Sequence, residues 1–93
     1  MNTLYTPTPL YSADITFDTP HGELQDVRAS FDMRGCYDWS PDYAPDAASA
    51  TLAYVTLGEM RMYRAELVKW IGAAMVARIE EAQLDAALEA AHA

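Results

Sequence analysis

Residues 12–33, SADITFDTPHGELQDVRASFDM, decide the fold. Their first part alternates, with Ala13, Ile15 and Phe17 on one side and Asp14, Thr16 and Asp18 on the other. A period of two with opposite polarities is the pattern of a strand that buries one face. Thr19-Pro20-His21-Gly22 then makes a turn. Proline presets φ at its second position, and glycine takes the left-handed conformation that closes it. From residue 23 the alternation resumes: Val27, Ala29, Phe31 and Met33 share one face, and Asp26, Arg28, Ser30, Asp32 and Arg34 the other. Two such runs around a short turn predict an antiparallel hairpin. Leu24 is out of phase with the second run, which predicts a bulge near Gln25 or a ragged start. Asp14 is the expected partner of Arg28 across the hairpin, subject to the one-residue shift that a bulge introduces.

Downstream, Gly35 releases the chain into Cys36-Tyr37-Asp38-Trp39-Ser40-Pro41-Asp42-Tyr43-Ala44-Pro45-Asp46. Two prolines deny this stretch a helix interior and a central strand. It holds three of the ten aromatic rings and three of the fourteen carboxylates, with no Lys or Arg, so it is no ordinary small polar connector. Residues 49–57 (SATLAYVTL) predict a third strand, with apolar groups on both faces and hence either a central place in the sheet or partial cover on both sides. Gly58-Glu59 turns the chain, and residues 60–63 fit either a short fourth strand or the start of a helix.

From Ala65 to Ala91 the period becomes helical. Val68, Ile71, Met75, Ile79, Ala82 and Ala86 form one apolar stripe that is expected to cover the sheet. Gly72 predicts a break into a short and a long helix, since glycine costs about 1 kcal/mol against alanine in a helix interior. A second stripe, Trp70, Ala77, Leu84 and Leu88, has no cover inside so small a domain. It is either a contact with another copy of the chain or a fraying alanine-rich end. Upstream, residues 1–10 carry two Thr-Pro steps and no charge, and predict an extended arm. The expectation is one α+β domain: a small antiparallel sheet of three to four strands, with the C-terminal helix packed on one face.

Fourteen acids against six bases give a net charge of −8, of which residues 1–58 carry −6 and residues 59–93 carry −2. Such a surface repels free nucleic acid and anionic membranes, and attracts basic proteins. No stretch is apolar enough to span a membrane, and no secretory leader is expected. A single cysteine forms no internal disulfide, which favours a reducing, cytoplasmic setting.

Catalytic and metal readings are weak throughout. Cys36 lacks a nearby histidine base in the sequence, since His21 sits in a turn and His92 at the chain's end. Asp38, Asp42 and Asp46 lack the alternating oxygens, glycine bend and bidentate Glu of a calcium loop. Arg61, Arg64 and Lys69 are expected to neutralise Glu59 and Glu66 rather than hold a phosphate. Phosphate loops, zinc spacings and nucleophile elbows are absent from the sequence, so neither an enzyme nor a cofactor is expected. Two readings of the loop remain. Trp39 and Tyr43 fold back over the sheet while the aspartates cap turns, or Asp38, Trp39, Asp42, Tyr43 and Asp46 form a recognition surface. In the second reading the carboxylates take arginines and the rings anchor the contact.

The order of a hairpin strand (Leu24–Met33), a Pro/Asp/aromatic linker (Tyr37–Ala47), a Thr/Val strand ending Thr56-Leu57-Gly58 and an acidic helix with Ile79-Glu80-Glu81-Ala82 resembles small accessory proteins of phages and prophages. Anti-CRISPR proteins are a class of these. The resemblance implies a non-enzymatic inhibitor in the host cytoplasm. It would engage a basic, nucleic-acid-handling host protein or nucleoprotein complex, with carboxylates in the place of phosphates. No shared motif carries residue-level roles across. The other function class is a structural or assembly protein that self-associates through Trp70, Leu84 and Leu88.

Overall fold

A computed structural model describes residues 10–37, 41 and 43–91, so most of the expected N-terminal arm lies outside the described residues. The chain runs β1 (Tyr11–Thr19), β2 (Gly22–Arg34), a single 3-10 turn (Pro45–Ala47), β3 (Ser49–Leu57), β4 (Met60–Tyr63), α1 (Arg64–Ile71) and α2 (Ala73–Ala91). The four strands pair antiparallel in sequence order, β1-β2-β3-β4. Both helices lie on one face of this meander, which is the expected α+β architecture. Residues 60–63 are a strand.

Two bulges set which side chains reach the core. In the hairpin, Phe17 pairs with Leu24 and Ile15 with Val27, so Thr16 alone opposes both Gln25 and Asp26. Asp26 takes up the extra residue in the left-handed region at φ 55°, which Asp tolerates better than most side chains. Continued without that residue, the register from Thr19–Gly22 would set Asp14 against Val27. The bulge sets Asp14 against Arg28 instead, and the two form an ion pair at 2.9 Å. It also returns Leu24 to the core face beside Phe17, which resolves its odd phase.

In β3 the second bulge corrects the expectation of two apolar faces. Phe31 pairs with Leu52 and Ser30 with Tyr54, so Ala53 is the extra residue. Leu52 and Val55, three apart, are therefore both buried on the helix-covered face. Thr51, Tyr54 and Thr56 take the other face. β3 is interior, flanked by β2 and β4.

The core joins Phe17, Val27, Ala29, Phe31, Leu52 and Val55 of the sheet to Leu67 of α1 and to Val76 and Ile79 of α2. The stripe read from sequence is off by about one position beyond the glycine. Val68, Ile71 and Met75 are half-buried against the cluster and Ile79 is in it, but Ala82 and Ala86 are exposed. The buried line of α2 is Val76, Ile79 and Ala87, with half-buried Gln83 between. Gly72 is the cause. At φ +95° it ends α1, its N–H bonding the Val68 carbonyl at 2.9 Å, and α2 restarts in a new rotation. A phase carried across that break does not hold, and alanine's small burial gain does little to restore it.

Two of the three cations, Arg64 and Arg61, also find partners other than those expected. Arg64, first residue of α1, binds Glu80 of α2 through Nε to Oε2 at 2.8 Å and Nη2 to Oε1 at 3.0 Å. Glu80 Oε2 also accepts the Leu52 N–H at 2.7 Å. β4 pairs only with Tyr54–Leu57, so the ladder has ended by Leu52 and the carboxylate takes its place. One side chain thus ties both helices to β3. Arg61 instead lies over the Tyr54 ring, 4.4 Å from its centroid. Glu66 accepts the Tyr63 N–H at 3.3 Å, satisfying one of the free donors at the start of α1.

Candidate functional site

The acidic, aromatic stretch joins β2 to β3 at the end of the sheet opposite the Pro20-His21 and Gly58-Glu59 turns. Its base is closed in two ways. Arg34 pairs with Ser49 as the last rung of the ladder, and the Ala44 N–H donates to the Gly35 carbonyl at 3.0 Å. Gly35 is required at this clasp. It has φ +73°, and a Cβ there would stand 3.1 Å from the Ala44 carbonyl oxygen and 3.3 Å from Ala48 Cα. Gly35→Ala is expected to lose about 1–2 kcal/mol from backbone strain and crowding. Thermal melting would show it as a midpoint lower by several degrees, and an unchanged midpoint would mean that the clasp yields at no cost.

Of the five residues read as a recognition surface, Asp38, Trp39 and Asp42 lie outside the described residues. Tyr43 is half-buried, and Asp46 is exposed in the 3-10 turn Pro45–Ala47. The two therefore differ in exposure, the ring partly covered and the carboxylate open to solvent. Beside them, Tyr37 is half-buried with its ring centroid 6.2 Å from that of Tyr11 at the start of β1. Burial, then the neighbouring Tyr11 and Cys36, push its hydroxyl above the ordinary range, so Tyr37 is a neutral phenol at physiological pH.

Cys36 is fully buried, with Sγ 3.3 Å from the Arg34 carbonyl oxygen and 3.6 Å from that of Ser49. A thiol enclosed by backbone acceptors is a structural group, because reactive cysteines need exposure and an electropositive surrounding. His21 is at the far end of the sheet, exposed, with its N–H on Thr19 Oγ1 at 3.1 Å. Among the described residues no three His, Cys, Asp or Glu side chains come together as metal ligands.

A second surface escaped the sequence reading. The sheet face away from the helices carries Tyr54 against Tyr63, ring centroids 5.6 Å apart and edge-on, with Arg61 stacked on Tyr54. Asp14–Arg28 continues this face toward β1. Both side chains of that pair are more than half exposed, so it steers charge more than it stabilises. The signal was available in the sequence. A two-residue Gly58-Glu59 turn pairs Leu57 with Met60, and counting outward sets Tyr54 opposite Tyr63.

On the helices, Trp70 is half-buried and packs against the core cluster. Leu84 and Leu88 are half-buried on α2. No described helix is long and apolar enough to cross a membrane. Compared with protein-family models, with characterised proteins and with solved structures, the chain matches none of them.

Proposed function

We propose that this chain is a non-enzymatic binding protein of the phage accessory, anti-CRISPR-like kind, which engages and inhibits a basic, nucleic-acid-handling host complex through the acidic loop. The observation behind this reading is the clasp. A loop bearing Asp38, Asp42 and Asp46 is held at both ends by paired strands, and Asp46 is presented to solvent. A tethered acidic loop loses less conformational freedom on docking than a free one. Its carboxylates match arginine-lined grooves that otherwise hold phosphates. Three of the eight acids in residues 1–58 stand in the loop itself, with no Lys or Arg among them, and this local charge steers such a partner toward it.

The test has two arms. Capture from host lysate at low and high salt is expected to enrich basic nucleic-acid-binding proteins, with nucleic acid competing for the same partner. With the partner in hand, the Asp38→Asn/Asp42→Asn/Asp46→Asn variant is expected to bind about 10- to 100-fold more weakly, with a flatter salt dependence. Equal affinity and an equal salt slope in the variant would sink the loop reading.

A further inference from the structure

The two edges of the sheet are unlike. β4 is four residues long, and past its end Glu80 occupies the Leu52 N–H. β1 is nine residues long, has neither proline nor lysine, and has no strand on its outer side among the described residues. Natural edges of that length are usually blunted by such residues or covered.

We infer that β1 is the seam at which two copies of this chain join, antiparallel about a two-fold axis at Ile15, into one continuous eight-stranded sheet. The inference rests on register and charge, and is independent of the loop reading. Ile15 is the midpoint of Tyr11–Thr19, so this axis gives the longest pairing the strand allows. It sets Ile15 against Ile15 and Ala13 against Phe17 on the helix-covered face. On the open face it sets Asp14 against Thr16 and Ser12 against Asp18. Every directly opposed pair is then apolar with apolar or carboxylate with hydroxyl, except Tyr11, which meets Thr19.

Neighbouring registers fail. Moving the axis to Asp14 opposes that carboxylate to itself, and moving it to Thr16 opposes Asp14 to Asp18. Like charges directly opposite are destabilising. Axes further out shorten the ladder. Axes between residues set Ala13, Ile15 and Phe17 against the polar series and break the apolar face. The register also covers an exposed patch. Leu10 and Tyr11, 41% and 44% exposed, would lie beside Pro20 and Thr19 of the second copy.

Each copy carries −8, so the pair assembles against repulsion and salt strengthens it. Docking of the acidic loop on a basic partner weakens with salt. The two readings can therefore fail separately.

The experiment is sedimentation velocity on the full chain and two variants at exposed Ser12, with far-UV circular dichroism to confirm the fold of each. Wild type is expected to show a concentration-dependent dimer that increases with salt. Ser12→Lys brings an ammonium opposite Asp18 at two symmetry-related places, and is expected to tighten the dimer about tenfold. Ser12→Asp opposes carboxylates at both places and is expected to weaken it about as much. A wild type that stays monomeric at every concentration and salt overturns the inference. So does a dimer that neither Ser12 change moves, or one abolished by Leu84→Glu and indifferent to Ser12, which would put the contact on α2. If Ser12→Asp does not fold, Ser12→Lys decides alone, and an unchanged dimer constant overturns the seam.

Discussion

Phe31→Ala is expected to cost about 4 kcal/mol, in the middle of the range for emptied aromatic sites. Phe31 is fully buried on β2, an interior strand, where it pairs with Tyr11 on one side and Leu52 on the other. Both ladders hold the backbone at this point, so the walls cannot close on the cavity that alanine leaves. Incomplete collapse is what separates costly truncations from mild ones. A chain of this size has roughly 5–10 kcal/mol of stability in all, so the variant should unfold at a far lower urea concentration. Phe31→Leu keeps most of the volume and is expected to lose about 1–1.5 kcal/mol. Equilibrium urea unfolding checks both, and a Phe31→Ala midpoint close to wild type would mean that the sheet can move in to fill the space.

Glu80→Ala comes next, at about 3 kcal/mol, because it removes the acceptor from one backbone donor and one guanidinium together. Hydrogen bonds to a charged group contribute about 1.5–3 kcal/mol, and the Leu52 N–H is left without its partner. Glu80 is itself only 13% exposed, so solvent can replace little of what is lost. Glu80→Gln keeps an oxygen for Leu52 but not the charge for Arg64, and about half that loss is expected.

The pH dependence follows from the same geometry. Burial pushes the Glu80 carboxyl up, but the Arg64 hydrogen bonds, the Leu52 N–H and the Arg64 charge outweigh it and hold the carboxyl below 4.5. A depressed folded-state value means stability that is present above the unfolded value and lost as the pH falls through the folded one. The advantage of wild type over Glu80→Gln is therefore expected in full at neutral pH and to shrink as the pH falls below 4.5. A stability difference that stays constant across the acid range would show that Glu80 acts by shape and not by charge.

Much of this architecture could be read from short stretches. The hairpin, its turn, the bulge beside Gln25 and the Asp14–Arg28 pairing follow from a period of two interrupted once. Gly72 marked the helix break. The β3 bulge was there to be read, since Leu52 and Val55 share a face three residues apart only if Ala53 is extra. The candidate loop was legible as composition alone. Its tie to the sheet, through Gly35 and Ala44, needed the fold, because nothing local says that two residues nine positions apart will meet.

The sequence by itself determined the order of the elements, the pairing of the hairpin and where the helix breaks, because periodicity, turn chemistry and backbone preference act over a few residues. Only the tertiary structure decided that Ala87 is buried while Ala82 and Ala86 face solvent. It alone decided that Arg64 pairs with Glu80 rather than a nearer acid, and that Glu80 completes β3 at Leu52, 28 residues away. Those outcomes depend on how α2 is rotated and laid across the sheet. That placement is a balance of packing over the whole core, and an alanine or a lone carboxylate carries too little local preference to announce it.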